Sequence, residues 1–129
     1  MIVDTSAIIA ALIGEPGFEA IEAHLQASPA LGVGAPTLVE AGLVLGGKMG
    51  VLSKTLLARF VEERGMTVIP FGPAHWSAAL DAFLRYGKGR HPAGLNLGDC
   101  MTYATVLLAG EPLLCLGNDF AQTDLQLVS

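Results

Sequence analysis

The chain reads as an α/β protein with a mostly parallel sheet. Apolar runs of strand length (Met1-Ile2-Val3, Leu31 to Ala35, Thr67 to Pro70 and Leu113 to Leu116) alternate with longer stretches of helical periodicity. That alternation is the pattern of strands joined by helical crossovers. Four acids mark the junctions: Asp4, Glu40, Asp99 and Asp119 each stand where a strand has just ended or a helix is about to begin. The residues are 52% hydrophobic and only 15% charged, so the helices must bury at least one face.

The first strand covers residues 1–4 and runs into a helix through Ala7-Ile8-Ile9-Ala10-Ala11-Leu12. Pro16 suits the first turn of a second helix, with Phe18, Ile21, Ala23 and Leu25 supplying apolar contacts. The second strand is expected over 31–35. A helix from Thr37 to about Gly46 follows, broken by Gly46-Gly47 and Gly50. Ser53 reads as the N-cap of a helix over 54–64, with Leu56, Leu57, Phe60 and Val61 on one face and Gly65 at its end. The third strand is 67–70. Residues 73–86 form an amphipathic helix carrying Trp76, Ala79, Leu80, Phe83 and Leu84, and the glycines and proline of 87–94 make a loop. A helix over 97–109, a strand over 113–116 and a short edge strand in Leu125-Gln126-Leu127-Val128 complete the chain.

At 129 residues this is one domain, 1–129, long enough to bury a core. We find no repeat, linker or low-complexity tract. No apolar run reaches the length of a bilayer span and no charged-then-apolar leader precedes a cleavage site, so a soluble, cytoplasmic protein with no membrane partner is expected. Cys100 and Cys115 each lie in an apolar segment, which makes them small buried hydrophobes and neither a disulfide framework nor a zinc site. The net charge of −5 argues against non-specific nucleic-acid binding. The four junction acids account for most of that excess, and Arg85, Lys88, Arg90 and His91 form one basic cluster.

Taken singly, each acid has a structural explanation. Thr37-Leu38-Val39-Glu40 matches a capping box, and Asn96-Leu97-Gly98-Asp99 has the same spacing. Asp4 suits a helix cap and Asp119, in Gly117-Asn118-Asp119, suits a turn. Jointly they say more. In an open parallel sheet, ligands bind beyond the carboxyl ends of the strands, and this topology gathers all four there. Two carboxylates about 5 Å apart repel by roughly 3 kcal/mol at an effective dielectric near 20. Magnesium or manganese relieves such repulsion, prefers oxygen ligands and keeps waters for substrate phosphates. No Ser–His–Asp or Cys–His arrangement is comparably supported, and His24 and His75 read as helix-surface residues.

At this point the chain resembles a PIN-domain ribonuclease of the VapC toxin family over essentially its whole length. The resemblance rests on Met1-Ile2-Val3-Asp4-Thr5-Ser6-Ala7, on Thr37-Leu38-Val39-Glu40-Ala41, on Arg90-His91-Pro92-Ala93 leading into Leu95-Asn96-Leu97-Gly98-Asp99-Cys100, and on Leu113 to Phe120 with Thr123-Asp124. It implies a three-layer α/β/α fold around a five-stranded sheet of order 3-2-1-4-5, and a Mg2+- or Mn2+-dependent endoribonuclease site. Asp4 and Asp99 would be the principal metal ligands, Glu40 would hold a metal directly or through water, and Asp119 would be the fourth acid, with Asp124 as the fallback. Ser6 would hydrogen-bond the site. A VapB-type antitoxin that blocks the site with a basic side chain, an RNA substrate and a homodimer are further implied.

Other readings fit less well. The phosphatase that opens on a strand and Asp-x-Asp is missing its second acid here, because Thr5-Ser6 follows Asp4. A receiver domain lacks its early acidic pair. A catalytically weak PIN-like module that only binds RNA or protein would be favoured by loss of an acid, and all four are present.

Overall fold

Two residues per strand are enough here to feed two cores. In the computed structural model, which describes residues 1–128, β1 (Ile2–Val3) pairs in parallel with β4 (Leu113–Leu114). Successive side chains on a strand point to opposite faces. Ile2 and Leu113 therefore enter one core with Ala82, Tyr86, Tyr103, Val106 and Phe120, while Val3 and Leu114 enter the other with Ile8, Leu25, Val33, Leu45 and Phe60. Helices α1 (Thr5–Ile13), α2 (Phe18–Ala27), α3 (Ala35–Met49) and α4 (Ser53–Glu63) close the second core. Helices α5 (Pro73–Tyr86) and α6 (Leu97–Ala109) close the first, giving three layers.

With β2 (Gly32–Gly34) and β3 (Thr67–Ile69) the sheet is all parallel in the order β3-β2-β1-β4. The α/β class and the expected order of these strands hold, but the sheet has four strands where five were expected. Leu125 to Val128 lies beside β4 and makes a single parallel bridge, Leu113 to Leu127. Two hydrogen bonds hold it: the Leu113 amide donates to the Gln126 carbonyl at 2.9 Å, and the Val128 amide donates to the Leu113 carbonyl at 2.8 Å. β4 is itself too short to pair with more. It ends at Leu114, not at residue 116, because the Leu116 amide turns away to donate to the Ser6 hydroxyl at 2.9 Å.

Three local expectations fail for packing reasons. Gly46-Gly47 does not break α3, which continues to Met49 and stops at Gly50, whose φ of 61° leaves the helical region. A Cβ at Gly42 would meet Leu57 at 3.7 Å and one at Gly46 would meet Ser53 at 3.7 Å, so α4 folds back antiparallel against small residues of α3. Thr37 is the third residue of α3 and buried, with its hydroxyl 3.3 Å from that of Thr102, so it cannot be an N-cap and no capping box forms with Glu40. A 3-10 turn over Gly50–Leu52 leads into α4, and Ser53 is the first helical residue with no cap bond to make.

Ala35–Glu63 spans 29 residues and is apolar enough by length and composition to cross a bilayer, contrary to expectation. The turn at Gly50 divides it into helices of 15 and 11 residues, each shorter than the roughly 20 a span requires.

Candidate active site

Asp4 leaves β1 in extended backbone (φ −83°, ψ 159°) and caps α1. Its Oδ2 accepts the Ser6 amide at 3.1 Å and the Ser6 hydroxyl at 2.6 Å, and its Oδ1 accepts the Thr102 hydroxyl at 3.2 Å. The residue is only 6% exposed, yet three donors satisfy its charge, and an ionised carboxylate has about four lone-pair sites. One site on Oδ1 is left over.

Glu40 comes from α3. It is the sixth residue of α3, beyond the first turn, and its Oε1 accepts the Thr5 hydroxyl at 2.6 Å. Asp99 is the third residue of α6, and here the expected capping box does form. The Asp99 amide donates to Asn96 Oδ1 at 2.9 Å, and the Asn96 amide donates to Asp99 Oδ2 at 3.1 Å. Asp119 is exposed in the turn after β4, which begins at Gly117 with a φ of 91°.

The Asp99 carboxyl registers the other three acids. Burial is the main cause that lifts its pKa to about 6; the Asn96 amide works against that, and the charges of Asp119, Asp4 and Glu40 each add to the rise. Cys115, pushed up to about 11 by burial, also senses Asp4 and Asp119. Thus α1, α3, α6 and the turn after β4 bring one acid each to a single region. Among the described residues, the ion pairs take up Glu22, Glu63, Glu111 and Asp124, and none of Asp4, Glu40, Asp99 and Asp119 has a cationic partner. No three His, Cys, Asp or Glu side chains among the described residues stand as a ready-made ligand cluster. Mg2+ does not require one, since it is commonly held by one or two carboxylates and several waters.

Asp124 is engaged elsewhere. Its Oδ1 accepts the Tyr103 hydroxyl at 2.6 Å and its Oδ2 lies 3.4 Å from Arg85, and the Tyr103 bond is the main cause that holds its carboxyl below the usual range. It borders Val106, Leu107 and Gly110 at the C-terminal end of α6, whereas Asp99 is at the N-terminal end. Sequence reasoning missed Thr5 and Thr102 as partners of the acids. Thr102 had a signal, because it follows Asp99 by three positions and so shares its helix face. Thr5 had none, since its partner is 35 positions away.

A model of the PIN domain matches residues 1–125. Ribonuclease VapC36 of Mycobacterium tuberculosis is 48% identical over 127 residues, which cover 98% of this chain and 91% of that protein. The chain belongs to the PIN-domain family, among the VapC ribonucleases. Two solved structures share the fold of this VapC chain. VapC20 of Mycobacterium tuberculosis, a sarcin-ricin loop cleaving toxin, superposes with a TM-score of 0.80 at 16% identity, over 98% of this chain and 97% of that one. VapBC2 from Rickettsia felis, bound to a DNA fragment from its promoter, gives 0.75 at 11% identity, over 99% and 96%.

A groove of about 770 Å3 lined by Val39, Glu40, Phe71, Asn96, Leu97 and Gly98 opens beside Glu40. The expected basic cluster is partly spent on structure. The Arg85 guanidinium lies 4.7 Å from the Tyr86 ring and pairs with Asp124, and that of Arg90 lies 5.8 Å from the Phe83 ring. His91 Nδ1 accepts the Ala93 amide at 3.0 Å. Lys88 is exposed at the start of the loop. His75 is not a plain surface residue: its Nδ1 accepts the Gly72 amide at 3.1 Å and so caps α5.

Proposed function

We propose that this VapC chain is a Mg2+- or Mn2+-dependent endoribonuclease, the toxic component of a VapBC-type pair acting in the cytoplasm, with Asp4, Glu40, Asp99 and Asp119 as its catalytic acids. The observation that carries the reading is the load on Asp99, whose carboxyl is half-buried, uncompensated by any cation among the described residues, and raised first by desolvation and then by the three other acids. All the donors on offer are oxygens, which fits a hard divalent ion.

Asp4 and Asp99 would be the principal ligands, with Glu40 and Asp119 completing the set directly or through water. When bound, such an ion polarises the phosphodiester and lowers the pKa of water. The chain's own residues prepare the site. Ser6 and Thr102 lock Asp4 so that a single Oδ1 position remains free. Thr5 ties up Glu40 Oε1, and Asn96 ties up Asp99 Oδ2, leaving Oε2 and Oδ1 as their open oxygens. Lys88 and Arg90 supply charge for the RNA backbone.

VapC20's cleavage of the sarcin-ricin loop and the ribonuclease relatives support RNA as the substrate. The pairing in VapBC2 supports a VapB-type antitoxin, whose apolar segment would cover the groove at Val39 and Leu97 while a basic side chain meets the acids. A homodimer would cover the exposed Trp76, Leu80 and Leu84 of α5.

The test is cleavage of labelled RNA with added Mg2+ or Mn2+, with a chelator control, by wild type, Asp4→Asn and Asp99→Asn. We expect both variants to lose metal-dependent cleavage while remaining folded. Undiminished cleavage by both would sink the assignment.

A further inference from the structure

Gly98 is the second residue of α6, a helical position where alanine is a better helix former than glycine. Its backbone does not need glycine, since it is absent from the positions with positive φ. What it needs is space. A Cβ on residue 98 would lie 2.9 Å from Glu40 Oε1, 2.7 Å from Glu40 Cδ and closer still to Oε2. Real Cβ atoms essentially never approach a heavy atom that closely, so the carboxylate would have to move. Glu40 is the far end of a flexible side chain, so the helix would survive the change and only the carboxylate would shift.

The opposite side of the same carboxylate is fixed. Thr5 donates to Oε1 at 2.6 Å, from a residue that immediately follows Asp4. The carboxylate is therefore held between the Thr5 hydroxyl and the bare Cα of Gly98, one residue before Asp99. This wall of the groove is the place where α3 and α6 approach each other.

From this we infer that Gly98 is a positioning residue: the missing side chain at 98 lets the Glu40 carboxylate stand beside Asp99, and Thr5 keeps it there. The inference deepens the metal-dependent reading above and rests on it. A methyl group at 98 pushes Oε2 out of the space between α3 and α6 and leaves Glu40 in the groove, away from the other acids.

The test is Mn2+ binding by calorimetry, with thermal melting in chelator as the second readout, on wild type, Gly98→Ala, Glu40→Ala and the double variant, with Asp4→Asn as the control for metal binding. Gly98→Ala should weaken Mn2+ binding by about tenfold or more, the usual loss when a group supporting a metal ligand is altered. In the Glu40→Ala background the same change should cost no further affinity and should raise the melting temperature, because the space is then empty and the helix prefers alanine. Non-additivity of this kind is not expected of a residue that merely supports the fold. If Gly98→Ala leaves Mn2+ binding unchanged, or weakens it equally in both backgrounds, while Asp4→Asn still abolishes binding, the positioning role is wrong and the metal-dependent reading stands. If Asp4→Asn binds Mn2+ as wild type does, that reading falls and takes the positioning role with it.

Discussion

The Ser6 hydroxyl accepts the Leu116 amide at 2.9 Å, and in the same position donates to Asp4 Oδ2 at 2.6 Å. The second residue of α1 thus joins the acid that ends β1 to the chain that leaves β4. Asp119 lies three residues beyond Leu116, so this one hydroxyl ties the segment that carries Asp119 to Asp4. It also explains why β4 ends where it does.

Ser6→Ala should lower stability by about 1–2 kcal/mol, since it strips one donor from a buried carboxylate and leaves the Leu116 amide without its acceptor. It should also slow cleavage, because the turn carrying Asp119 loses its tether to Asp4. Denaturant unfolding and single-turnover cleavage check both parts. A variant with lowered stability and unchanged cleavage would remove Ser6 from the site.

The pH dependence of the metal-free protein should carry the mark of Asp99. Its pKa of about 6 when folded exceeds the usual carboxylate value, so the folded chain holds this proton more tightly than the unfolded chain does. Stability therefore falls as pH rises from about 4 to about 6. Asp99→Asn keeps an oxygen for the Asn96 amide but carries no charge. Its melting temperature in chelator should match wild type below pH about 4 and exceed it above pH about 6. Parallel curves from acid to neutral pH would show that neither burial nor the other acids raise Asp99.

Asp119 and Asp124 should separate cleanly. Asp119→Asn should impair metal-dependent cleavage with little change in stability, because the residue is exposed and makes no fold-supporting bond among those described. Asp124→Asn should leave cleavage unchanged and cost about 1 kcal/mol, through its weakened bonds to Tyr103 and Arg85. The sign for Asp124 is the reverse of that for Asp99: its carboxyl is held low, so its contribution is present at neutral pH and lost on acidification. Thermal melts from neutral to acid pH, alongside cleavage assays, decide between the two residues. Exchange of the two outcomes would reverse the assignment of the fourth acid.

Replacing Lys88 and Arg90 with Ala should weaken RNA binding and lower the slope of log affinity against log salt by about 1.4, as expected for two lost phosphate contacts on a single strand. Calorimetric Mn2+ binding should not change. An unaltered salt slope would leave this loop with only its structural role.

Much of this fold was legible because it is written in local pattern. The helix over 97–109, the loop after Tyr86 and the Asn96–Asp99 capping box all follow from residues within a few positions of one another. The errors arose where a distant partner overruled the local signal. Thr37-x-x-Glu40 has the spacing of a capping box, but Thr37 is drawn to Thr102 and Glu40 to Thr5, so neither reaches for the helix end. Gly46-Gly47 looks like a helix break, yet in α3 those glycines face the returning helix α4 and solvent. The last strand was foreseen in place but not in extent, since β4 offers it only one residue to pair with.

The sequence by itself determined the alternation of strands and helices, and with it the four junctions at which the acids stand. That follows from hydrophobic period and turn chemistry, which act over short distances along the chain. Only the tertiary structure decided that Asp119 shares a region with Asp99 while Asp124 is committed to Tyr103 and Arg85, and that Gly98 is bare because Glu40 lies against it. Those are contacts between residues tens of positions apart, and electrostatic coupling and steric exclusion depend on distance in space, which no short stretch of sequence records.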